Sequence, residues 1–321
     1  MSLNTHHLSF TATALTPVAL GEQSGSAVRG ALAGALWERF CANREAPTCA
    51  ECPLLTVCPV AALLAPMRDD EQKGSDQRPR PYVTRPPTGG ARTYAPGETL
   101  SFGLALFGSA AALYPYTVMA ARELERAGMG MRLPELGGRR GALRLTAIEA
   151  VNPLTGERQP LYTPATGQVA QPGLALDAEA VRAYAATLPT ERITLRFHTP
   201  LRIIEQDRLL KRIALRPLIQ RLMRRLDDLS IAYGDGPLRI DFRALLAVAE
   251  GVRVAEDRTR WVDVVSVSHR HGRRTPIGGL IGSATFEGDL APLRELLVWG
   301  SLVHVGRNAV KGDGWYSIVA A

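Results

Sequence analysis

The tightest constraint on this chain is the placement of glycines near its C-terminus. Gly278, Gly279, Gly282 and Gly288 punctuate the stretch Pro276–Asp289, and Gly306, Gly312 and Gly314 follow, among short β-type runs and the polar residues His304, Arg307 and Lys311. Without a Cβ, glycine lets backbone N–H groups come close to a phosphate chain or to another strand. The spacing excludes two common phosphate loops. Five residues separate Gly306 from Gly312, and no Lys-Ser or Lys-Thr pair follows, so this is not a nucleoside-triphosphate loop. Gly278-Gly279-Leu-Ile-Gly282 is not the GxGxxG dinucleotide fingerprint either.

Charge points to a polyanionic partner. The net charge is +7 across 321 residues. The charge is clustered: Arg202, Arg208, Lys211, Arg212, Arg216, Arg221, Arg224 and Arg225 crowd one segment, and Arg270, Arg273 and Arg274 another. Arginine suits bidentate phosphate contacts. With 6% aromatics, recognition by charge and shape is expected rather than a stacking platform. No apolar run reaches the ~18 residues that span a bilayer. The N-terminus lacks a basic segment followed by an apolar one. A cytoplasmic protein with no membrane contact is expected.

Hydrophobic periodicity predicts the elements. Leu8, Phe10, Ala12 and Ala14 alternate along a strand at 3–14, and Val28, Leu32, Leu36 and Phe40 line a helix at 24–40. A cysteine insertion (41–66) and an irregular loop (68–97) follow. A strand at 100–107, a helix at 109–127 and a strand at 141–150 complete a β-α-β-β-α-β-like order. Residues 151–175 read as a hairpin or linker and 177–186 as a short helix. A second set starts at Ile193. It has a basic helix at 207–230 broken near Pro217, strands at 261–268 and 280–287, a helix at 290–299, and strands at 301–306 and 315–319. The fold class is therefore α+β: two ferredoxin-like (RRM-like) domains in tandem, 1–188 and 189–321, with a four-cysteine metal-binding insertion in the first.

Cys41, Cys49, Cys52 and Cys58 are all the cysteines of the chain, spaced C-x7-C-x2-C-x5-C. In a reducing compartment this favours metal ligation over disulfides. Four thiolates can close one tetrahedral structural site, with zinc the commoner occupant. Proline after Cys52 and Cys58 keeps a [4Fe-4S] cluster open as the alternative. No cofactor is expected in catalysis.

Several motifs carry a resemblance. Val303-His-Val-Gly306-Arg307 with Gly312-Asp-Gly314-Trp-Tyr316, the strand Arg192-Ile-Thr-Leu-Arg-Phe-His-Thr-Pro-Leu-Arg202, and Trp261 followed by Ser266-Val-Ser-His-Arg270 lie in the second half. Ser24-Gly-Ser-Ala-Val-Arg29-Gly30 and Cys49-Ala-Glu-Cys52-Pro-Leu-Leu-Thr-Val-Cys58-Pro lie in the first. Together they resemble the CRISPR-associated precursor-crRNA-processing endoribonucleases of the RAMP superfamily, in the branch with a cysteine cluster. The resemblance implies metal-independent cutting of CRISPR repeat RNA by 2′-OH attack, leaving 2′,3′-cyclic phosphate and 5′-OH ends. It implies crRNA and other CRISPR effector subunits as partners, for a monomer or homodimer. The alternatives are a RAMP-family crRNA-binding subunit without cleavage and a metal-stabilised nucleic-acid-binding regulator.

Such cleavage needs a base for the 2′-OH, an acid for the leaving oxygen, and a cation for the developing charge. Histidine, with an ordinary pKa of ~6.5, suits the first two roles. His304, beside the glycine-rich segment, is the leading candidate, and His7, on the polar face of the first strand, the second. His6 reads as a packing residue, His198 as solvated beside Arg196, and His269 and His271 as part of an RNA-binding loop. Phosphate contacts are expected from Arg29 near a helix N-terminus, and from Arg270, Arg273, Arg274, Gly279, Gly306, Arg307, Lys311, Gly312 and Gly314. One departure stands out: many of these enzymes carry a catalytic histidine in or near the first helix, but residues 8–197 contain none.

Overall fold

A computed structural model describes residues 3–22, 24–67, 78–164, 166–268 and 273–319. The chain forms two compact units. One comprises Thr5–Ala175 with Ala232–Gly234, the other Leu176–Ile231 and Asp235–Ala321 with Met1–Asn4.

In the N-terminal unit, the strand Thr5–Ala14 lies between Thr99–Phe107 and Leu143–Val151, with Tyr82–Arg85 and Arg158–Tyr162 outside them. All these neighbours are antiparallel. Taken in chain order, the first four strands are arranged second-third-first-fourth, which is the ferredoxin-like order. The alternation seen in the sequence is what fixes the sheet's face: Leu8, Phe10, Ala12 and Ala14 are buried, and Phe10 stacks on Phe102 at 5.1 Å. Helices Ser24–Phe40 and Tyr114–Ala127 fill the two crossover positions. Val28, Leu32 and Leu36 of the first and Val118, Ala121 and Leu124 of the second are buried.

The C-terminal unit repeats the order. Its sheet runs Arg253–Val262, Gly279–Glu287, Arg192–Leu201, Tyr316–Val319, with crossover helices Leu215–Tyr233 and Arg294–Val303. Trp299, Phe286 and Tyr316 anchor the core, and the Tyr316 hydroxyl donates to the Leu297 carbonyl at 2.6 Å.

The structure departs from the expected elements in several places. The strand expected at 261–268 is two, Arg253–Val262 in the main sheet and Val265–Ser268 in a separate hairpin. Residues 82–85 form the second strand of the ferredoxin order, where an irregular loop was expected. The basic helix begins at Leu215, so Pro217 lies in its first turn, where no helical N–H is needed, and does not break it. The preceding residues instead make a hairpin, Ile204–Glu205 with Arg208–Leu209, turning through Gln206 and Asp207 at φ 46° and 61°. An unforeseen helix, Phe242–Glu250, starts where Asp241 accepts from the Arg243 and Ala244 amides. The strand expected at 301–306 is absent: the helix continues to Val303. Finally, the units part at 175/176 rather than 188/189. Helix Ala178–Ala186 belongs to the C-terminal unit because it packs on helix Arg294–Val303, where Arg294 donates to the Leu188 carbonyl at 2.7 Å.

Candidate nucleic-acid interface

The glycine-rich segment is sewn onto the end of strand Arg192–Leu201 by main-chain atoms. Val305 N donates to Gly314 O at 3.1 Å, Gly314 N to Pro200 O at 3.0 Å, and Arg307 N to Arg202 O at 2.9 Å. Glycine is required where the backbones meet. A Cβ at Gly306 would lie 2.6 Å from Arg202 O, and one at Gly314 would lie 1.7 Å from Val305 O, with φ of +89° and +69°. Gly279 is likewise pressed on Leu201, and Gly279, Gly312 and Gly314 are buried. These glycines therefore shape the segment from within, and the surface is left to its side chains. Thr199 completes the stitching: its hydroxyl donates to Gly312 O at 2.7 Å and accepts from the Trp315 amide at 2.9 Å. Its only mark in the sequence was its place in the Thr-Pro-Leu-Arg motif.

Arg307 is exposed and makes no ion pair among the described residues. Lys311 Nζ donates to Ser266 Oγ at 3.2 Å. Trp261, half-buried, has the Arg202 guanidinium 6.0 Å and the Lys211 ammonium 5.8 Å from its ring centre. Arg273 and Arg274 lie on a strand, Arg273–Pro276, paired with Val265–Ser268. Arg270, with His269 and His271, falls outside the described residues.

The histidines are more enclosed than expected. His304 caps the C-terminus of helix Arg294–Val303 at φ 60°, ψ 163°, fully buried, its ring parallel to Trp315 at 6.1 Å. That backbone region is one that essentially only glycine adopts without strain. His198 touches the same indole at 4.8 Å and its Nε2 lies 2.9 Å from Ser317 Oγ. In the N-terminal unit His7, expected on the polar face of its strand, is 2% exposed, its Nε2 3.0 Å from Thr5 Oγ1. His6 is half-buried, and burial pulls its pKa below the ordinary value. Arg29, expected to hold phosphate at the helix N-terminus, instead bonds the buried Tyr82 phenol, whose pKa rises through burial. Burial, and then the charge of Arg29, hold the pKa of Arg80 below the usual guanidinium value.

The four cysteines are half-buried and none is in a disulfide. Asn43 links two of them: its carbonyl accepts from Cys41 Sγ at 3.5 Å, and its Nδ2 reaches Cys52 Sγ at 3.7 Å. Cys52 N donates to Cys49 O at 3.3 Å in the CxxC turn, and Cys58 precedes helix Pro59–Leu64. The donor types suit a thiophilic metal. Among the described residues, however, no three His, Cys, Asp or Glu side chains converge as ligands.

Comparison with known proteins places these features. A family model described as the CRISPR-associated endoribonuclease Cas6 matches residues 195–316, the segment containing the stitched loop, Trp261 and Arg307. A second, of the AF_1859 N-terminal domain family, matches residues 3–174. The solved structure of a Cas6 product complex, 16% identical, covers 98% of this chain and 99% of its own with a TM-score of 0.57. The chain belongs to the AF_1859 N-terminal domain family, and its residues 195–316 are Cas6-like. A Thermus thermophilus Cas6 is 14% identical over 99% of this chain and all of its own, with a TM-score of 0.56. A partial Cas6-RT-Cas1–Cas2 complex matches all of this chain and 46% of its own, at 13% identity and a TM-score of 0.62. At such identities the likeness is one of fold, and it agrees with the paired ferredoxin-like units. No curated protein matches the chain. Among the described residues no helix is long and apolar enough to cross a membrane.

Proposed function

We propose that this Cas6-like protein cleaves CRISPR repeat RNA by metal-independent attack of a ribose 2′-OH, leaving 2′,3′-cyclic phosphate and 5′-OH ends. The observation that carries the reading is the coincidence of the Cas6 family match with the segment that presents Arg307, Lys311, Arg202 and Lys211. In this reading Arg307 and Lys311 hold the scissile phosphate and offset the charge that grows in the transition state. His304 is the acid–base group, and His7 is the second candidate for that role. Both rings are enclosed, so the one that acts must open to the ribose when RNA binds. Synthetic repeat RNA from the adjoining array should be cut in EDTA, and a single 2′-deoxy substitution before the cut should abolish cleavage there. Cutting of the deoxy RNA at the same position would refute 2′-OH attack.

The enclosure of His304 and His7 favours one alternative, a crRNA-binding subunit without cleavage. Tight binding of the repeat with no cutting under any condition would establish it. In either reading the protein works on RNA in the cytoplasm, beside other CRISPR effector subunits.

We also propose that Cys41, Cys49, Cys52 and Cys58 bind one structural metal, zinc or a [4Fe-4S] cluster, that fastens the insertion. Elemental analysis should find about one zinc per chain, or else iron with a broad visible band near ~400 nm. Cys49→Ser should release the metal and loosen residues 41–66 to proteolysis. Metal-free protein with four thiols titrating in the native state would overturn this.

A further inference from the structure

Trp261 lies on Arg253–Val262, an edge strand of the C-terminal sheet in which no residue is fully buried. An indole there does not owe its position to the core. Its polar edge is already satisfied, because Nε1 donates to Asp263 Oδ1 at 2.9 Å, which fixes the ring's orientation. Two cations approach the ring, Lys211 at 5.8 Å and Arg202 at 6.0 Å. Neither forms an ion pair among the described residues. Arg202 is anchored through Nη1 to Gly278 O at 2.8 Å, and its own carbonyl accepts from Arg307 N at 2.9 Å. Trp261, Arg202 and Arg307 thus share one rigid frame.

Like charges gathered around one aromatic ring repel, and an exposed cation–π contact contributes too little, about 0.5–1 kcal/mol, to be the purpose of the arrangement. An unpaired nucleotide would suit both parts: its base stacks on the indole and its phosphate meets the cations. We propose that Trp261 is a stacking seat for one unpaired RNA base, with Lys211 and Arg202 taking its phosphate. This rests on the RNA-binding reading above and adds a base contact that low aromatic content had argued against. In the bound state Lys211 swings from the ring to the phosphate, while Arg202, tethered at Gly278, stays.

The test uses the intact protein and two labelled 12-nucleotide probes of equal charge, oligoadenylate and an abasic ribose–phosphate strand, with affinity read by fluorescence anisotropy. Base–aromatic stacking supplies on the order of 5- to 100-fold per base. The parent protein should prefer oligoadenylate by about that factor. Trp261→Leu should reduce the preference to near unity, and Trp261→Phe should retain most of it. Arg307→Ala should weaken both probes alike, leaving the preference intact. If the parent binds neither probe, the RNA-binding reading itself fails. If the parent binds both equally, or Trp261→Leu keeps the preference, the seat is not at Trp261. Equal loss of both probes by Trp261→Leu and Trp261→Phe would make the indole a structural brace and overturn the proposal.

Discussion

Gly314→Ala is expected to abolish folding of the C-terminal unit. The new Cβ would lie 1.7 Å from Val305 O, 2.8 Å from Val305 C and 3.1 Å from Val305 N, all of them backbone atoms. They cannot withdraw, because Val305 N donates to Gly314 O and Gly314 N to Pro200 O. The residue also sits at φ +69°, outside the usual range of L-amino acids. Collision and strain together should exceed about 4 kcal/mol, at the far end of single-substitution effects. Gly137→Ala is the control. Its φ is +65° but nothing lies within 4 Å of its Cβ, so it should cost only about 1–2 kcal/mol of left-handed strain. Thermal unfolding of the two variants checks both figures. Equal, small shifts would show that the loop is not stitched as described.

His304→Ala should slow single-turnover cleavage of repeat RNA by ~10²–10⁴-fold with affinity nearly unchanged, as for a group that transfers a proton in the transition state. The backbone at His304 supplies a second comparison. At φ 60°, ψ 163° alanine keeps the strain that histidine bears, whereas glycine relieves it, by about 1–3 kcal/mol. His304→Gly should therefore be the more stable of the two variants. If both lose rate equally, the missing ring is the cause. If the glycine variant recovers the parental rate, His304 only braces the segment against Trp315, and the acid–base group lies elsewhere.

Much of the fold was legible in the sequence because the informative segments are half-buried. Thr5–Ala14 and Arg192–Leu201 bury alternate residues, so alternation survives in their composition. Where burial is complete, that signal vanishes. Residues 296–300 are all buried, as are 302–305, so the helix Arg294–Val303 carries no polar stripe and its β-branched end reads as strand. Tyr82–Arg85 was hidden for another reason: it has four residues, with prolines at 81, 86 and 87 beside it. The site divides similarly. Charge is local, so Arg202, Lys211 and Arg307 could be marked from composition. The burial of His304 depends on Trp315, and that of His7 on the strands paired beside it, so neither could be read from its neighbours in the chain.

The main-chain stitching at Pro200, Arg202, Val305 and Gly314 has an evolutionary consequence. The bonds that hold the loop use carbonyls and amides, which every residue has, so its shape does not depend on which side chain stands at position 307. Substitution there can be tried by selection without risk to the fold. A scaffold of this kind can follow a drifting repeat sequence by exchanging surface side chains alone, while the glycines beneath them stay fixed.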